Sequence, residues 1–268
     1  MFTKKTIICQ PLGGLANRMR AVAGAADLAR RLGRRLTIVW TSDKTLNARW
    51  DELFCPARGF KVVDCRLYSF KYKLMATFYK RLLRYHKLDD ETICRCGKNT
   101  SEEWLGMLAD KSLWIESCEN ATLTEDFSMF RPKSSLARHI VTSKERTVGI
   151  HIRRTDNEMS VRWSPTWLFV ELIEKEIVAN PHATFYLATD DPQEEAAIKE
   201  RFGERILTYK KQSLDRNEPQ AIRDAVVDLF NLANCKKIYG SYYSSFSDTA
   251  AIIGYIEKIV VKLREGQL

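Results

Sequence analysis

An alternation of short apolar segments and longer helical segments is the feature that most constrains the fold of this chain. Near the amino terminus, an apolar segment (Lys5–Cys9) is followed by a glycine turn, a helical pattern (Leu15–Leu32) and a second apolar segment (Arg35–Trp40). A strand–helix–strand crossover joins parallel strands. The pattern therefore predicts an α/β domain in which helices cover a parallel sheet.

The same alternation returns in the second half of the chain. The predicted strands are Arg146–Ile152, Thr184–Ala188, Arg205–Thr208 and Lys237–Tyr239, and the predicted helices are Pro165–Ala179, Gln193–Phe202, Pro219–Ala233 and Ser247–Leu263. The alternation is lost in the middle region, residues 67–136. We therefore predict an N-terminal domain over residues 1–140, which includes this irregular region, and a C-terminal domain over residues 141–268, with the boundary near Ser134–Lys144.

Composition narrows the class of protein. A chain of 268 residues can hold two modest domains, and 45% hydrophobic with 29% charged residues is ordinary for a globular protein. No apolar run approaches the ~20 residues of a membrane-spanning helix, and no signal-peptide pattern is visible. Seven scattered cysteines suit reduced thiols, and Cys94 and Cys96 lie too close together for the usual zinc spacing. We expect a soluble cytoplasmic protein without a metal site.

The net charge of +9 indicates an anionic partner without choosing among nucleic acid, anionic lipid and a phosphorylated substrate. Within the middle region, residues 70–87 resemble a basic amphipathic helix with an apolar stripe formed by Leu74, Phe78, Leu82 and Tyr85. The pattern favours a solvated helix that packs this stripe on the core. A peripheral contact with an anionic membrane or an anionic acceptor is the alternative.

The first motif that can carry chemistry is the glycine turn between the first strand and its helix. Gly13 and Gly14 let the backbone approach a ligand closely, and the following helix start, with Asn17 and Arg18, offers N–H groups to an anion. The turn lacks the residues of a phosphate-binding Walker loop and the third glycine of a dinucleotide fingerprint. A plain tight turn with Asn17 as a helix cap is the alternative.

The second motif is His-Ile-Arg-Arg-Thr-Asp, which ends a predicted strand at residues 151–156. Strand alternation places at least one of Arg153 and Arg154 at the ligand-binding end of the sheet. A guanidinium there can stabilise the negative charge that builds on a departing diphosphate. The alternative is a surface ion pair with Asp156.

The third motif combines Asp228, in an otherwise apolar helix, with the serine run before the last helix, which includes Ser244, Ser245 and Ser247. A carboxylate can accept both adjacent N–H groups of guanine, and hydroxyls at a helix start can hold phosphate. The alternatives are an Asp228 on the solvated side of its helix and serines that only cap a helix. For the Asp190-Asp191-Pro192 turn we expect a structural or supporting role.

These segments resemble the fucosyltransferase superfamily, which includes the α-1,6-fucosyltransferases of N-glycan cores, the bacterial nodulation-factor fucosyltransferases and the protein O-fucosyltransferases. HIRRTD at 151–156 resembles the family's arginine signature, and FYLATDDP at 185–192 is similar to the strand and turn that follow it. VVDLFNLANCKKIYGSYYSSFS resembles the segment that reads guanine and touches phosphate. GGLANR at 13–18 is similar to a loop of the O-fucosyltransferase branch.

The resemblance implies a GT-B-like α/β fold with two Rossmann-like domains facing a cleft. It implies transfer of fucose from GDP-fucose to a glycan or glycoconjugate acceptor, with inversion, without a metal ion and without a cofactor beyond the GDP-sugar co-substrate. The implied catalytic residues are Arg153, Arg154 and Asn17. The implied nucleotide-sugar-binding residues are His151, Gly13, Gly14, Arg18, Asp228, Ser244, Ser245 and Ser247. The alternatives are a GT-B transferase for another nucleotide sugar and a basic module that binds a membrane or nucleic acid, although we expect no nucleic-acid partner because no reading motif is present.

Overall fold

The computed structural model describes residues 5–95 and 101–264. The chain forms two compact units, of which the first comprises Met1–Lys133 with Asp215–Arg223 and the second comprises Ser134–Leu214 with Asp224–Leu268. The first division therefore falls at the start of the segment in which the sequence places the boundary. It precedes the predicted domain end at residue 140 by a few residues.

The segment Asp215–Arg223 differs from expectation, because it lies in the C-terminal half of the sequence and belongs to the first unit. Its backbone and side chains explain the association. The backbone N–H of Asn47 donates to the Arg216 carbonyl at 3.2 Å, and the Arg223 guanidinium pairs with Glu52 at 2.8 Å. The alternation of strands and helices in the sequence cannot show that Asp215–Arg223 belongs to the first unit, because the contacts that attach this segment are a backbone hydrogen bond and one surface ion pair.

The first unit is built on a five-stranded parallel sheet. The strands are β1 (Thr6–Pro11), β2 (Arg35–Ser42), β3 (Lys61–Arg66), β4 (His86–Asp89) and β5 (Leu113–Ser117), in the spatial order β3-β2-β1-β5-β4. The helices are α1 (Leu15–Arg31), α2 (Trp50–Leu53), α3 (Phe70–Thr77), α4 (Asp90–Arg95) and α5 (Glu102–Leu108). The crossover from β1 through α1 to β2 confirms the predicted α/β unit.

The middle region is not irregular, and this expectation is corrected. It supplies β4 and β5, which extend the sheet beyond β1. β4 has four residues, of which only Leu88 is buried, and the residues beside Leu88 are charged. Such a short segment does not show the alternation of apolar and polar residues that indicates a strand. β5 is five residues long and almost wholly buried, and so short an apolar run does not distinguish a strand from a helix.

The single helix expected over residues 70–87 is also corrected. α3 ends at Thr77 and continues as a π-helical turn, Phe78–Leu82, and residues 86 and 87 belong to β4. Arg84 adopts a left-handed conformation (φ 48°), which stops the helix. The predicted apolar stripe does not face the core as a whole, because only Tyr85 of its four residues packs inward.

The second unit repeats the architecture. Its strands are β6 (Thr147–Ile152), β7 (Thr184–Thr189), β8 (Ile206–Leu207), β9 (Lys237–Ser241) and β10 (Glu257–Val261), all parallel, in the order β10-β9-β6-β7-β8. The helices are α6 (Ser134–Ala137), α7 (Glu158–Trp163), α8 (Thr166–Ala179), α9 (Pro192–Phe202), α10 (Pro219–Ala233), which belongs to this unit from Asp224 onward, and α11 (Ser245–Gly254). Two parallel sheets with alternating helices confirm the predicted α/β, GT-B-like class.

The predicted last helix, Ser247–Leu263, is wrong in its second half. α11 ends at Gly254, Tyr255 is left-handed (φ 50°), and the chain then forms β10, which pairs with β9. The β-branched run Ile259–Val261 is typical of a strand. No helix in the described ranges is both long and apolar enough to cross a membrane.

Helix α8 packs on the core of the second unit through Ile173, which is completely buried, whereas Val178 on the same helix is 84% exposed. We expect Ile173→Ala to lower the free energy of unfolding by about 2–5 kcal/mol, because it leaves a cavity among Ile150, Phe185 and their neighbours. Val178→Ala, the matched control, should change it by less than about 0.5 kcal/mol. Urea unfolding followed by circular dichroism measures both, and equal losses would contradict this packing.

Candidate functional site

The strand order of each sheet reverses beside its first strand, between β1 and β5 in one unit and between β6 and β9 in the other. In open α/β sheets ligands bind outside the carboxyl ends of the strands at such a reversal. In the second unit, the Ser241 hydroxyl at the end of β9 accepts the Arg153 backbone N–H at 3.0 Å and lies 3.2 Å from the His151 carbonyl, to which it donates. This hydroxyl fixes the ends of the two strands on either side of the reversal.

His151 is buried at the end of β6, and its ring stacks on Phe246 with the centroids 5.1 Å apart. Burial lowers the pKa of His151 well below its usual value, and the nearby charges of Arg153, Lys258 and Lys211 lower this pKa further. The imidazole is therefore neutral at pH 7. Its Nδ1 atom is buried and has no hydrogen-bond partner within the described residues.

Arg153 lies just beyond β6, where two carboxylates hold its guanidinium. Its Nη1 lies 2.6 Å from Asp190, and its Nη2 contacts Asp156. The surface ion pair with Asp156 that the sequence offered as an alternative is thus present, although the arginine side chain itself is only 18% exposed. A guanidinium carries five N–H donors, so two ion pairs leave donors for the oxygens of a further anion.

Arg154 is held more completely than Arg153. Its Nε donates to Glu194 at 2.6 Å, its Nη2 to the Thr166 hydroxyl at 2.8 Å, and its Nη1 to the carbonyl of Arg153 at 2.9 Å. These bonds fix the backbone that carries Arg153. We therefore revise Arg154 from a catalytic to a positioning residue.

The Asp190-Asp191 turn has the supporting role that the sequence predicts. The Asp191 carboxylate caps α9 by accepting the Gln193 N–H at 2.8 Å. Asp190 accepts the Arg154 backbone N–H at 2.8 Å and, through its second oxygen, the Thr155 hydroxyl at 2.6 Å. The turn after β7 therefore fixes the backbone that follows β6.

The serine run forms the amino terminus of α11. Ser244 occupies the N-cap position, as the capping alternative predicts, although its side chain makes no capping bond. Ser245 is the first helical residue, and Ser247 is buried with its hydroxyl 3.3 Å from the Ser244 carbonyl. The backbone N–H groups of a first helical turn have no partners within the helix and suit an anion.

Gly240 explains why α11 can lie so close to β9. A Cβ atom at this position would lie 2.6 Å from the Ser247 hydroxyl and 2.9 Å from Cε of Lys258. Lys258, on β10, is itself nearly buried, and its ammonium lies 2.5 Å from the Asp248 carboxylate and 3.4 Å from the Ser244 carbonyl. Lys258 therefore lies beside the start of α11, paired with Asp248.

Asp228 is buried, so the alternative of a solvated position on α10 is wrong. Its carboxylate accepts the Tyr186 hydroxyl at 2.6 Å, and its other oxygen lies 3.2 Å from the Lys211 ammonium. Burial outweighs these favourable contacts and raises the pKa of Asp228 to about 6. Both oxygens have partners inside the unit, and recognition of guanine by Asp228 stays a prediction.

The glycine turn of the first unit has the geometry that a tight turn requires. Gly13 is left-handed (φ 78°), and Gly14 is the N-cap of α1. Asn17 lies inside the first turn of α1, so its interpretation as the cap is wrong. Its partly exposed side chain lies against Gly13.

Arg18 is completely buried, which corrects its assignment as a ligand contact. Its Nε donates to the Gly13 carbonyl at 2.7 Å, its Nη1 to the Thr41 carbonyl, and its Nη2 to Asp43 at 2.6 Å. These bonds fasten the glycine turn to the end of β2. Arg18 therefore positions the turn and has no surface with which to touch a nucleotide sugar.

The structure thus divides the predicted residues between the units. Gly13, Gly14, Asn17 and Arg18 belong to the first, and His151, Arg153, Arg154, Asp228, Ser244, Ser245 and Ser247 belong to the second. Sequence reasoning missed Ser241, Phe246 and Lys258. Ser241 lies just after the predicted strand Lys237–Tyr239, Phe246 lies within the serine run but was not selected, and Lys258 lies in a strand that was not predicted. Among the described residues no three His, Cys, Asp or Glu side chains could hold a metal ion, and Cys96 lies outside these residues.

No protein-family model matches this chain, and none of the curated protein sequences matches it. Several solved structures do match this chain. The NodZ α-1,6-fucosyltransferase soaked with GDP-fucose is 17% identical, with a TM-score of 0.65, over 94% of this chain and 93% of that chain. This chain has the fold of the fucosyltransferases.

Two further solved structures share this fold. A variant of FUT1 from Arabidopsis thaliana in complex with GDP is 12% identical, with a TM-score of 0.63, over 98% of this chain and 71% of that chain. POFUT1 in complex with GDP-fucose is 12% identical, with a TM-score of 0.57, over 96% of this chain and 98% of that chain. The resemblance is therefore confirmed at the level of the fold.

The buried role of Arg18 in this fucosyltransferase fold predicts a loss of stability on Arg18→Lys. Lysine keeps the charge but cannot reach the Gly13 and Thr41 carbonyls and Asp43 together, so we expect the free energy of unfolding to fall by about 3 kcal/mol. Arg35→Lys, at the exposed start of β2, is the matched control and should have little effect. Urea unfolding measures the free energy of unfolding of both variants, and equal effects of the two substitutions would refute the positioning role of Arg18.

The raised pKa of Asp228 predicts a pH dependence of stability. Its pKa is about 6 in the folded chain against 3.8 when unperturbed. Between these values the folded state binds a proton that the unfolded state has lost. The contribution of Asp228 therefore falls as pH rises through this window, by up to about 3 kcal/mol, and is constant above it.

The measurement is urea unfolding from pH 4 to pH 7 of the wild type and Asp228→Asn. The free energy of unfolding of the wild type should fall relative to that of the variant as the pH rises. Asp191→Asn is the control, because asparagine caps a helix as well as aspartate does. A difference between wild type and Asp228→Asn that is constant with pH would contradict the raised pKa.

Proposed function

We propose that this chain is a fucosyltransferase that transfers fucose from GDP-fucose to a glycan or glycoconjugate acceptor, with inversion and without a metal ion. One observation carries the proposal. In a chain with the fucosyltransferase fold, Arg153, the neutral His151 and the amino terminus of α11 meet at the point where the strand order of the second unit reverses.

The charges at this point suit a nucleoside diphosphate. The free donors of Arg153 and the first-turn N–H groups of α11 at Ser244 and Ser245 can bind its phosphate oxygens. Lys258 adds a positive charge, which the Asp248 carboxylate offsets in the free chain. The structures with the same fold include NodZ soaked with GDP-fucose and POFUT1 in complex with GDP-fucose, which supports the same donor for this chain.

Arg153 is the proposed catalytic residue. As the bond between the fucosyl carbon and the β-phosphate oxygen breaks, the bonding electrons move to that oxygen and the fucosyl group becomes oxocarbenium-like. Arg153 stabilises the charge on the departing GDP. The acceptor hydroxyl attacks the opposite face and releases its proton to water, so the configuration is inverted. The arginine thus supplies the charge that a metal ion supplies to the diphosphate in other transferases.

The remaining residues have supporting roles in the proposal. His151 and Ser247 shape the nucleotide site, and Asp228 reads guanine if the ligand displaces the Tyr186 hydroxyl or Lys211 from its carboxylate. On the first unit, Gly13, Gly14 and Asn17 form a partly exposed turn at the carboxyl end of β1, where a ligand is expected. Asn17 keeps its predicted catalytic role as part of this proposal.

The proposal predicts that Arg153→Ala lowers the rate of GDP release from GDP-fucose by about 10²–10³-fold, because the charge on the leaving group loses its partner. Arg153→Lys should recover only part of the rate, since lysine lacks the planar fork. Arg162→Ala, an exposed arginine on α7, is the control and should leave the rate unchanged. The assay uses a panel of glycan acceptors, with and without a chelator.

Two outcomes would contradict the mechanism. An Arg153→Ala variant as active as the Arg162→Ala control would remove Arg153 from catalysis. Loss of activity in the chelator, restored by a divalent cation, would overturn the metal-free reaction. The choice of nucleotide is tested separately by thermal shift, in which GDP should raise the melting temperature more than ADP or UDP. Equal shifts would refute selection of guanine.

A further inference from the structure

Helix α3 and the π-helical turn that follows it present large apolar side chains to solvent. The exposed fractions are 81% for Phe70, 61% for Leu74, 44% for Phe78 and 72% for Leu82. Spacing by four residues puts side chains on one side of a helix, so these four form one continuous stripe. Tyr68 and Leu83, at the two ends, are also exposed.

The opposite side of the same helix accounts for its attachment to the unit. Tyr72 is buried there, and Met75, Ala76 and Tyr79 pack with it against Trp114 and its neighbours. The Tyr72 hydroxyl also donates to Gln10 at 2.9 Å. The fold therefore anchors the helix through one face, and core packing does not explain the apolar side chains on the other.

Basic side chains flank the exposed stripe, and acidic ones are absent from it. The sequence from Cys65 to Leu88 contains no aspartate or glutamate. Lys73, Arg81 and Arg84 are exposed and form no salt bridge within the described ranges, in contrast to Lys80, which pairs with Glu116. We call Tyr68–Arg84 the basic apolar face.

We propose that the basic apolar face binds the surface of an anionic lipid bilayer. Its combination of side chains decides the partner. Apolar side chains on a helix that lies in the interface bury themselves at the boundary of headgroups and acyl chains, while lysine and arginine reach the anionic headgroups. A nucleic acid would use the basic side chains but would leave Leu74 and Leu82 exposed to water. An interface with a second copy of this chain would bring Lys73, Arg81 and Arg84 close to like charges.

This inference is independent of the proposed function, because it uses no residue of the candidate site in the second unit. Sedimentation with vesicles of phosphatidylcholine, with or without phosphatidylserine, tests it on the full chain. The chain should bind only the vesicles that contain phosphatidylserine, and binding should weaken with added salt, because screening reduces the attraction of the headgroups for the basic side chains.

Two sets of substitutions separate the contributions. Lys73→Gln with Arg81→Gln and Arg84→Gln should weaken binding on the order of 100-fold, since each basic residue near an anionic surface contributes about fivefold. Leu74→Ser with Leu82→Ser should weaken it by about tenfold or more, because less apolar surface is buried. The control, Lys44→Gln with Val178→Ser, removes an exposed charge and an exposed apolar side chain elsewhere and should bind as the wild type does.

All of these side chains are exposed, so the melting temperatures and the rate of GDP release without vesicles should stay at the wild-type values. Three results would overturn the inference. In the first, both variants bind the anionic vesicles as tightly as the control. In the second, the wild type binds no vesicles but self-associates, and Leu74→Ser with Leu82→Ser abolishes the association. In the third, the wild type binds nucleic acid instead of vesicles, and the charge substitutions abolish that binding.

Discussion

The candidate site depends on the parallel pairing of β6 and β9 at the point where the strand order of the second sheet reverses. Helices diverge from the sheet at such a point, so the strand ends stay open to a ligand. The Ser241 hydroxyl bonds both sides of this opening, to the Arg153 N–H and the His151 carbonyl. The position of the arginine is thus set by the backbone of two strands.

Close approach of α11 to β9 is the second requirement, and it rests on the absence of a side chain at Gly240. Because of that approach, Phe246 stacks on His151, and Ser244 and Ser245 lie at the same end of the sheet. Burial, assisted by the neighbouring cations, lowers the pKa of His151 and keeps the imidazole neutral. Because the His151 ring is neutral, it does not attract an anion by its charge. In the proposed site, that attraction comes from Arg153, Lys258 and the amino terminus of α11.

The sequence predicted those parts of the fold that carry a regular apolar period. β1, α1 and β2 and most of the second unit follow expectation, and the motif at 151–156 lies at a strand end as predicted. β10 was missed because the apolar pattern of α11 continues through Gly254 into residues 259–261, and only the left-handed Tyr255 shows where the helix stops. β4 was missed because it buries a single leucine.

The sequence indicated the candidate residues of the site by their type, but it did not show which of them would be buried and bound to other residues. Arginine after a strand suggested an anion, and this reasoning selected Arg153 and Arg154, whereas Arg18 was selected with the glycine turn and its helix start. The structure separates them by their partners. Arg18 and Arg154 donate their N–H groups to backbone carbonyls, carboxylates and a hydroxyl. These partners come together only in the folded chain, so the sequence does not show them.

The carboxylates around Arg153 explain how this partly buried cation is held in the absence of a ligand. Asp190 and Asp156 neutralise the guanidinium in the free chain, which offsets the cost of removing it from water. Asp190 is fixed by the Arg154 backbone and the Thr155 hydroxyl, whereas Asp156 is 53% exposed, and solvent screens its attraction. In the proposed reaction, an arriving diphosphate would compete with the weaker of the two pairs, and the more buried pair would keep the arginine oriented.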